Sequence, residues 1–357
     1  MDLGLISNLM LGFDTALSLQ NILYCTIGVT IGTLIGVLPG MGPVATVAML
    51  LPATYALPPT SALIMLAGIY YGASYGGSTT AILVNIPGEA SAVVTCLDGH
   101  MMAKRGRAGS ALGIAAIGSF FAGCVATLLI AAFAPPLTEL AFQFGPAEYF
   151  SLMVLGLVSA TVLATGSLLK AICMVLLGLL LGLIGTDVNS GAFRFTFGLD
   201  ELQDGIDFVP LSMGLFGFAE IMRNLEGNMS RSLVPNKVKN ILPSWQEIKV
   251  SVGPIVRGTA LGSILGVLPG GGALLSSFAS YTAEKKLAGD KADPPFGYGN
   301  IRGVAGPESA NNAGAQTSFV PMLTLGIPSN AVMALMIGAM MICLLYTSPS
   351  PRDPKTS

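Results

Sequence analysis

The chain has 357 residues, 52% of them hydrophobic and only 10% charged, with a net charge of −2. A soluble globular chain carries about 25% charged residues, so a water-soluble body of this length is excluded. The lack of a basic patch likewise excludes a nucleic-acid partner.

The charge that exists is unevenly spread. No Asp, Glu, Lys or Arg occurs between Asp14 and Glu89, and residues 258–283 and 309–351 are also free of them. A membrane-spanning helix needs ~20 mostly apolar residues, so these gaps hold several full or half crossings. Only Asp2 and Asp14 precede the first apolar stretch. That is the wrong flank for a cleaved signal peptide, and the stretch is expected to be retained. The first helix is expected over 17–38, closed by Pro39-Gly40. A second apolar piece, 43–57, ends at Pro58-Pro59. A third, 61–84, contains Gly76-Gly77 and ends at Ile86-Pro87-Gly88.

A polar stretch follows, ending in Lys104-Arg105-Gly106-Arg107. Further spans are expected at 110–133, 148–168, 171–186 and 208–222. The polar segment 223–250 holds the single tryptophan, Trp245, a candidate interfacial anchor. Residues 252–268 are apolar and run into Pro269-Gly270-Gly271-Gly272. The apolar 273–283, the hydrophilic loop 284–302 and the apolar 313–345 complete the pattern. Positive residues select the cytoplasmic side. Their concentration in 104–107, 223–257 and 284–302 places those loops inside and the N-terminus outside. The five cysteines, Cys25, Cys96, Cys124, Cys173 and Cys343, lack metal or redox spacing and are expected to be packing residues.

The strongest signal is a self-match. GVTIGTLIGVLPGMG (28–42) recurs as GTALGSILGVLPGGG (258–272), so Gly28, Gly32, Gly36, Pro39, Gly40 and Gly42 correspond to Gly258, Gly262, Gly266, Pro269, Gly270 and Gly272. NIPGEA (85–90) later parallels GIPSNA (326–331). The first copy is entered from a side without positive residues and the second from a basic loop, which implies inverted orientation. The fold expected is therefore all-α: a polytopic integral membrane protein with inverted internal repeats and Pro/Gly-broken helices or re-entrant hairpins. Residues 1–222 would form the first half, 223–251 a cytoplasmic linker, and 252–343 a truncated second half.

Backbone chemistry makes these breaks informative. Pro39, Pro43, Pro87, Pro269 and Pro328 each lack an N–H donor, and the adjacent glycines allow angles that other residues resist. Groups freed at membrane depth are tolerated only against protein or a water-filled cavity. Such ends suit carboxylates through N–H groups and Na⁺ through carbonyls. Gly40, Gly42, Gly270 and Gly272 are therefore candidate substrate-binding positions, with Ser78, Thr79, Asn85, Asn311, Asn312 and Ser329 as side-chain contacts. Glycine at every fourth residue is, taken alone, more often a sign of close helix packing. A lone Ser or Thr more often bonds its own helix. Two adjacent amides, Asn311-Asn312, are costly without partners. Glu308 and Glu89 are the acids nearest the breaks, and Glu308 is the candidate coupling group. His100, in a polar stretch, is expected to be solvated. Enzyme and metal motifs are absent, so no cofactor is expected, and energy would come from a Na⁺ or H⁺ gradient or from another subunit.

The segments GTLIGVLPGMGPVAT, YYGASYGGSTTAILVNIPGEA, GPESANN and LTLGIPS together resemble the large permease subunit of tripartite tricarboxylate transporters, the TctA family. The likeness runs from about Leu19 to about Ile342. It implies a bacterial inner-membrane, cation-coupled importer of citrate or related organic carboxylates. A TctB-like small membrane subunit and a TctC-like periplasmic solute-binding protein would be its partners. The first family motif falls on Gly36, Pro39, Gly40, Gly42 and Pro43, the second on Pro307, Glu308, Asn311 and Asn312. Ala273 stands where the first repeat has Pro43, so the two hairpins need not be equivalent. The Pro/Ser-rich tail 344–357 departs from the family pattern. The alternatives are a TRAP-type dicarboxylate permease and, from another class, a passive channel or structural membrane subunit.

Overall fold

The computed structural model describes residues 3–38, 41–141, 167–186, 192–203, 241–268, 272–289 and 292–347, with scattered positions between 143 and 238. The described chain is almost wholly helical. In order come α1 (Leu3–Ala16), α2 (Leu19–Gly36), α3 (Pro43–Leu50), α4 (Pro59–Val84), α5 (Val93–Thr95), a π-turn (Cys96–His100), α6 (Met101–Lys104) and α7 (Ala108–Ala141). Then follow α8 (Leu168–Gly182), α9 (Trp245–Leu265), α10 (Gly272–Ala288), α11 (Arg302–Thr317), α12 (Phe319–Leu325) and α13 (Ala331–Thr347). A two-residue antiparallel pair, Gly185–Thr186 with Phe193–Arg194, is the β structure of the described residues. Among the described residues, three helices are long and apolar enough to cross a membrane: Leu19–Gly36, Ala108–Ala134 and Trp245–Leu265. The outer surface carries large apolar side chains, and α8 buries none of its residues. In a lipid environment such a surface needs no polar cover.

Several expected boundaries move. The piece 43–57 is helical only to Leu50 and tightens into a 3₁₀ turn at Leu51–Thr54. The third stretch runs unbroken through Gly76-Gly77. Lys285 and Lys286, placed in a loop by their charge, extend α10 by a turn. The region 313–345 is not one apolar span but α11, α12 and α13, and α11 begins at Arg302. The expected spans 148–168 and 208–222 fall largely outside the described residues.

The duplication is written into the packing. A Cβ built on Gly28, Gly32 or Gly36 would overlap the backbone carbonyls of Met65, Ile69 and Ala73. The second copy repeats this: Gly258, Gly262 and Gly266 press on Gly306, Ala310 and Gly314. In each case the helix entering the break runs beside, and in the same direction as, the helix that follows two elements later. The fourfold glycines thus serve close backbone approach, the commoner reading of that spacing. Gly32→Ala places a methyl against the Ile69 backbone and is expected to cost about 1–3 kcal/mol. It should lower the thermal midpoint in detergent, whereas Gly178→Ala, with no atom within 4 Å of the added methyl, should not.

The halves interlock. α13 packs Met333, Leu335 and Met336 against Val47 and Leu51 near α3 and Leu66 and Ile69 of α4. A second cluster joins Ile82, Met102 and Ile114 to Ile255, Ile301 and Val304. At the start of α9, Ser244 and Glu247 form a reciprocal capping box. Glu247 also takes Arg107 at 2.6 Å and Ser110 at 3.1 Å, tying α9 to α7. Trp245, expected at an interface, is exposed on the first turn of α9, with Lys249 5.7 Å from its ring.

Candidate functional site

Both Pro-Gly interruptions separate helices. α2 stops at Gly36 and α3 starts at Pro43; α9 stops at Leu265 and α10 starts at Gly272. Pro39, Gly40, Pro269, Gly270 and Gly271 lie outside the described residues. Gly42 is the N-cap of α3, and Pro43 takes the first helical position, where its missing N–H costs nothing. The Gly42 carbonyl accepts the Thr46 hydroxyl at 2.9 Å, and the Gly272 carbonyl accepts the Ser276 hydroxyl at 2.7 Å. The two breaks are thus built alike at their second edge.

The Ile-Pro breaks also correspond. α4 ends with Asn85 in the left-handed region (φ 59°), and α12 ends with Gly326 at φ 67°. The Ile86 N–H reaches back to the Thr80 carbonyl, and the Ile327 N–H to the Pro321 carbonyl, so each helix closes on the same wide backbone turn around its left-handed residue. Pro87 and Pro328 follow, where the helix has already stopped. Asn85 therefore stands where the second repeat has glycine, and asparagine is the side-chained residue that best tolerates this conformation. Its side chain is exposed; its evident task is to end the helix.

Between the breaks, the structure brings together polar side chains from both halves. Glu308, on α11, is 2% exposed. One carboxylate oxygen accepts the Ser78 hydroxyl of α4 at 2.9 Å, and the other accepts the Thr95 hydroxyl of α5. No Lys or Arg among the described residues pairs with it. Glu89, Tyr75 and Cys96 are among the ionisable groups near it. One turn along α11, the Asn311 amide donates to Glu89 Oε1 at 3.0 Å. The Asn312 amide donates to Ser119 of α7 at 2.7 Å and to the Glu308 carbonyl at 2.9 Å. Glu308, Asn311 and Asn312 of the GPESANN segment thus fasten α4, the Glu89 turn, α5 and α7 to α11.

The remaining candidates are placed as follows. The Thr79 hydroxyl bonds the Tyr75 carbonyl of its own helix at 2.9 Å. Ser329 is buried and donates to the Ser318 carbonyl at 3.2 Å. Ser318 in turn donates to the Gly266 and Gly314 carbonyls, beside Gly272. Asn330 caps α13 by accepting the Met333 N–H at 3.0 Å. Glu89 and Asn330 occupy matching places, each adjoining the glycine that opens its repeat's hairpin helix. One is acidic and the other neutral, so the hairpins differ in charge as well as at Pro43 and Ala273.

Two residues depart from expectation or escape it. His100 is not solvated: it is 3% exposed in the π-turn, with Nδ1 3.0 Å from the Ile82 carbonyl. Its partners come from α4, so local polarity misjudges its burial. Asp98, unremarkable in sequence, is fully buried. Its Oδ1 accepts the N–H groups of Gly297, Gly299 and Asn300 at 2.9, 2.8 and 2.8 Å, and Oδ2 accepts the Tyr281 hydroxyl at 3.0 Å.

Comparison with known proteins adds the following. Residues 22–351 match the family described as the Tripartite tricarboxylate transporter TctA family. The chain is 59% identical over 340 residues to an uncharacterised 52.8 kDa protein of the TAR-I ttuC′ 3′ region of Agrobacterium vitis, covering 95% of this chain and 67% of that one. It is 65% identical over 81 residues to an uncharacterised protein of the TAR-II ttuC′ 3′ region of the same organism, covering 23% of this chain and 33% of that one. No solved structure matches.

Proposed function

The chain belongs to the tripartite tricarboxylate transporter TctA family, and from that premise we propose that it is the large membrane permease subunit of a tripartite secondary transporter. It imports citrate-like tricarboxylates or related organic acids together with a cation. The observation that carries the reading is Glu308, a carboxylate buried where the two halves meet, held by Ser78 and Thr95 and faced by no cationic side chain among the described residues. A buried charge left unpaired costs several kcal/mol. A bound H⁺ or Na⁺ removes that cost, and so biases the halves toward one arrangement. Hydroxyls suit either ion, because Ser78 and Thr95 can donate to the carboxylate or turn their lone pairs toward Na⁺.

The organic anion is held at the broken helices. The N-terminal ends of α3 and α10, opened by Gly42 and Gly272, offer N–H groups, and Gly40 and Gly270 are proposed as further backbone contacts. Ser329, Ser78 and the amides of Asn311 and Asn312 lie nearby as neutral contacts. Residues 1–222 and 252–343 act as oppositely oriented halves that alternate access. The working assembly sits in the bacterial inner membrane with a small membrane subunit and a periplasmic solute-binding protein that delivers the carboxylate.

Uptake of labelled citrate and dicarboxylates by vesicles carrying the assembled transporter tests this. Saturable accumulation that collapses with the Na⁺ or proton gradient is the expected result. Flux that rises without saturation and ignores both gradients would point to a channel instead.

A further inference from the structure

We propose that Asp98 is the positioning residue of the Glu308 site, acting through the loop that leads into α11. The proposal rests on the reading of Glu308 as the coupling group.

Asp98 accepts four donors while fully buried. Three are consecutive or near-consecutive backbone N–H groups, of Gly297, Gly299 and Asn300, and the fourth is the Tyr281 hydroxyl of α10. A carboxylate with this many donors is a strong fixed point. The loop it grips sits immediately before α11. Asn300 passes the constraint on: its side-chain oxygen accepts the N–H of Arg302, the first residue of α11, at 3.0 Å, and its amide donates to the Pro294 carbonyl at 2.6 Å. Gly303, the second residue of α11, lies directly on Asp98. A Cβ there would come 2.8 Å from the Asp98 carboxyl carbon. Glu308 follows within two helical turns of that start.

The grip has a second point. Thr95, three residues before Asp98 on the same short helical segment, gives its hydroxyl to Glu308. The segment therefore holds α11 twice, at the loop before its first turn by Asp98 and at Glu308 by Thr95. The π-turn at Cys96–His100 lies between and around these contacts, and such turns recur at functional sites. The distance from Glu308 to Thr95 and Ser78, on which the affinity for a small ion depends, is thus set by a carboxylate that touches neither ion nor substrate.

The test uses the assembled transporter in proteoliposomes, with Na⁺ titrated at fixed pH and pH titrated at fixed Na⁺. Asp98→Asn keeps the shape but removes the charge and turns one acceptor oxygen into an NH2 donor, so the contacts to the remaining oxygen weaken and those to the other are lost. It is expected to raise the half-saturating concentration of the coupling cation about tenfold, the scale of losses seen when groups behind ion ligands are removed. Substrate affinity at saturating cation should stay within about twofold of wild type. In a Glu308→Gln background, Asp98→Asn should add no further effect on cation dependence, because the two act as one unit. Should Asp98→Asn fail to fold, Tyr281→Phe carries the test. It removes one donor and should shift the cation half-saturation in the same direction by about twofold. A lowered maximal rate with unchanged cation half-saturation, in whichever variant folds, overturns the proposal and leaves Asp98 a purely structural anchor. Unaltered cation dependence in Glu308→Gln alone overturns the reading of Glu308 itself, and this proposal with it.

Discussion

Glu308→Gln is expected to abolish concentrative uptake while leaving membrane insertion and passive substrate exchange intact. The substitution preserves shape. Gln still offers an oxygen to Ser78 or Thr95, so the packing of α11 against α4 and α5 survives. What disappears is the charge that a cation must neutralise. Losing one partner of a buried charged interaction costs about 3–5 kcal/mol, which corresponds to roughly two to three and a half orders of magnitude in cation affinity. Accumulation against a gradient should fall by at least about 100-fold on that arithmetic. Counterflow of labelled against unlabelled carboxylate, which needs no net cation movement, is the measurement that separates lost coupling from a lost protein.

The double variant Asn311→Ala with Asn312→Ala should lower uptake by at least about tenfold with normal insertion. Each truncation strands a partly buried polar group, at up to about 1–3 kcal/mol apiece. Asn311→Ala takes the amide donor from Glu89, and Asn312→Ala takes one from Ser119 of α7. Initial-rate uptake in vesicles, normalised to protein in the membrane, reads the effect. Thr79→Ala supplies the contrast. Its hydroxyl already bonds the Tyr75 carbonyl within α4, so uptake should stay within about twofold of wild type. Normal uptake in the double variant would show that the α11 amides do not shape the site.

The repeat was legible because glycine and proline act through the backbone, and backbone demands leave fixed residues at fixed spacing. Gly28, Gly32 and Gly36 recur as Gly258, Gly262 and Gly266, and each set makes the same close approach. The polarity of Ser78, Glu308, Asn311 and Asn312 inside apolar surroundings was legible for a similar reason: such groups need partners. What the sequence did not reveal is which partners. Thr95 lies in a short stretch with no helical signature, 213 residues from Glu308. Asp98 binds backbone N–H groups about 200 residues away, and a backbone donor has no residue identity to recognise. His100 was misjudged because polar neighbours in sequence say nothing about Ile82 and the helix above it. Asn85 did carry a usable signal. Its alignment with Gly326 marks a left-handed position, and that outweighs the attraction of reading an amide near a proline as a ligand.

The Glu89–Asn330 correspondence adds a physical asymmetry to this duplication. Two hairpins of common construction present an acid beside Gly42 and an amide beside Gly272.

Glu308 is the proposed link between cation and carboxylate. Equilibrium binding of citrate to the purified, assembled transporter, titrated at several Na⁺ concentrations and several pH values, measures that link directly. The account predicts that one of the two cations tightens citrate binding in the wild type, with reciprocal tightening of the cation by citrate, and that the effect vanishes in Glu308→Gln. Citrate binding that responds to that cation equally in both proteins would contradict it.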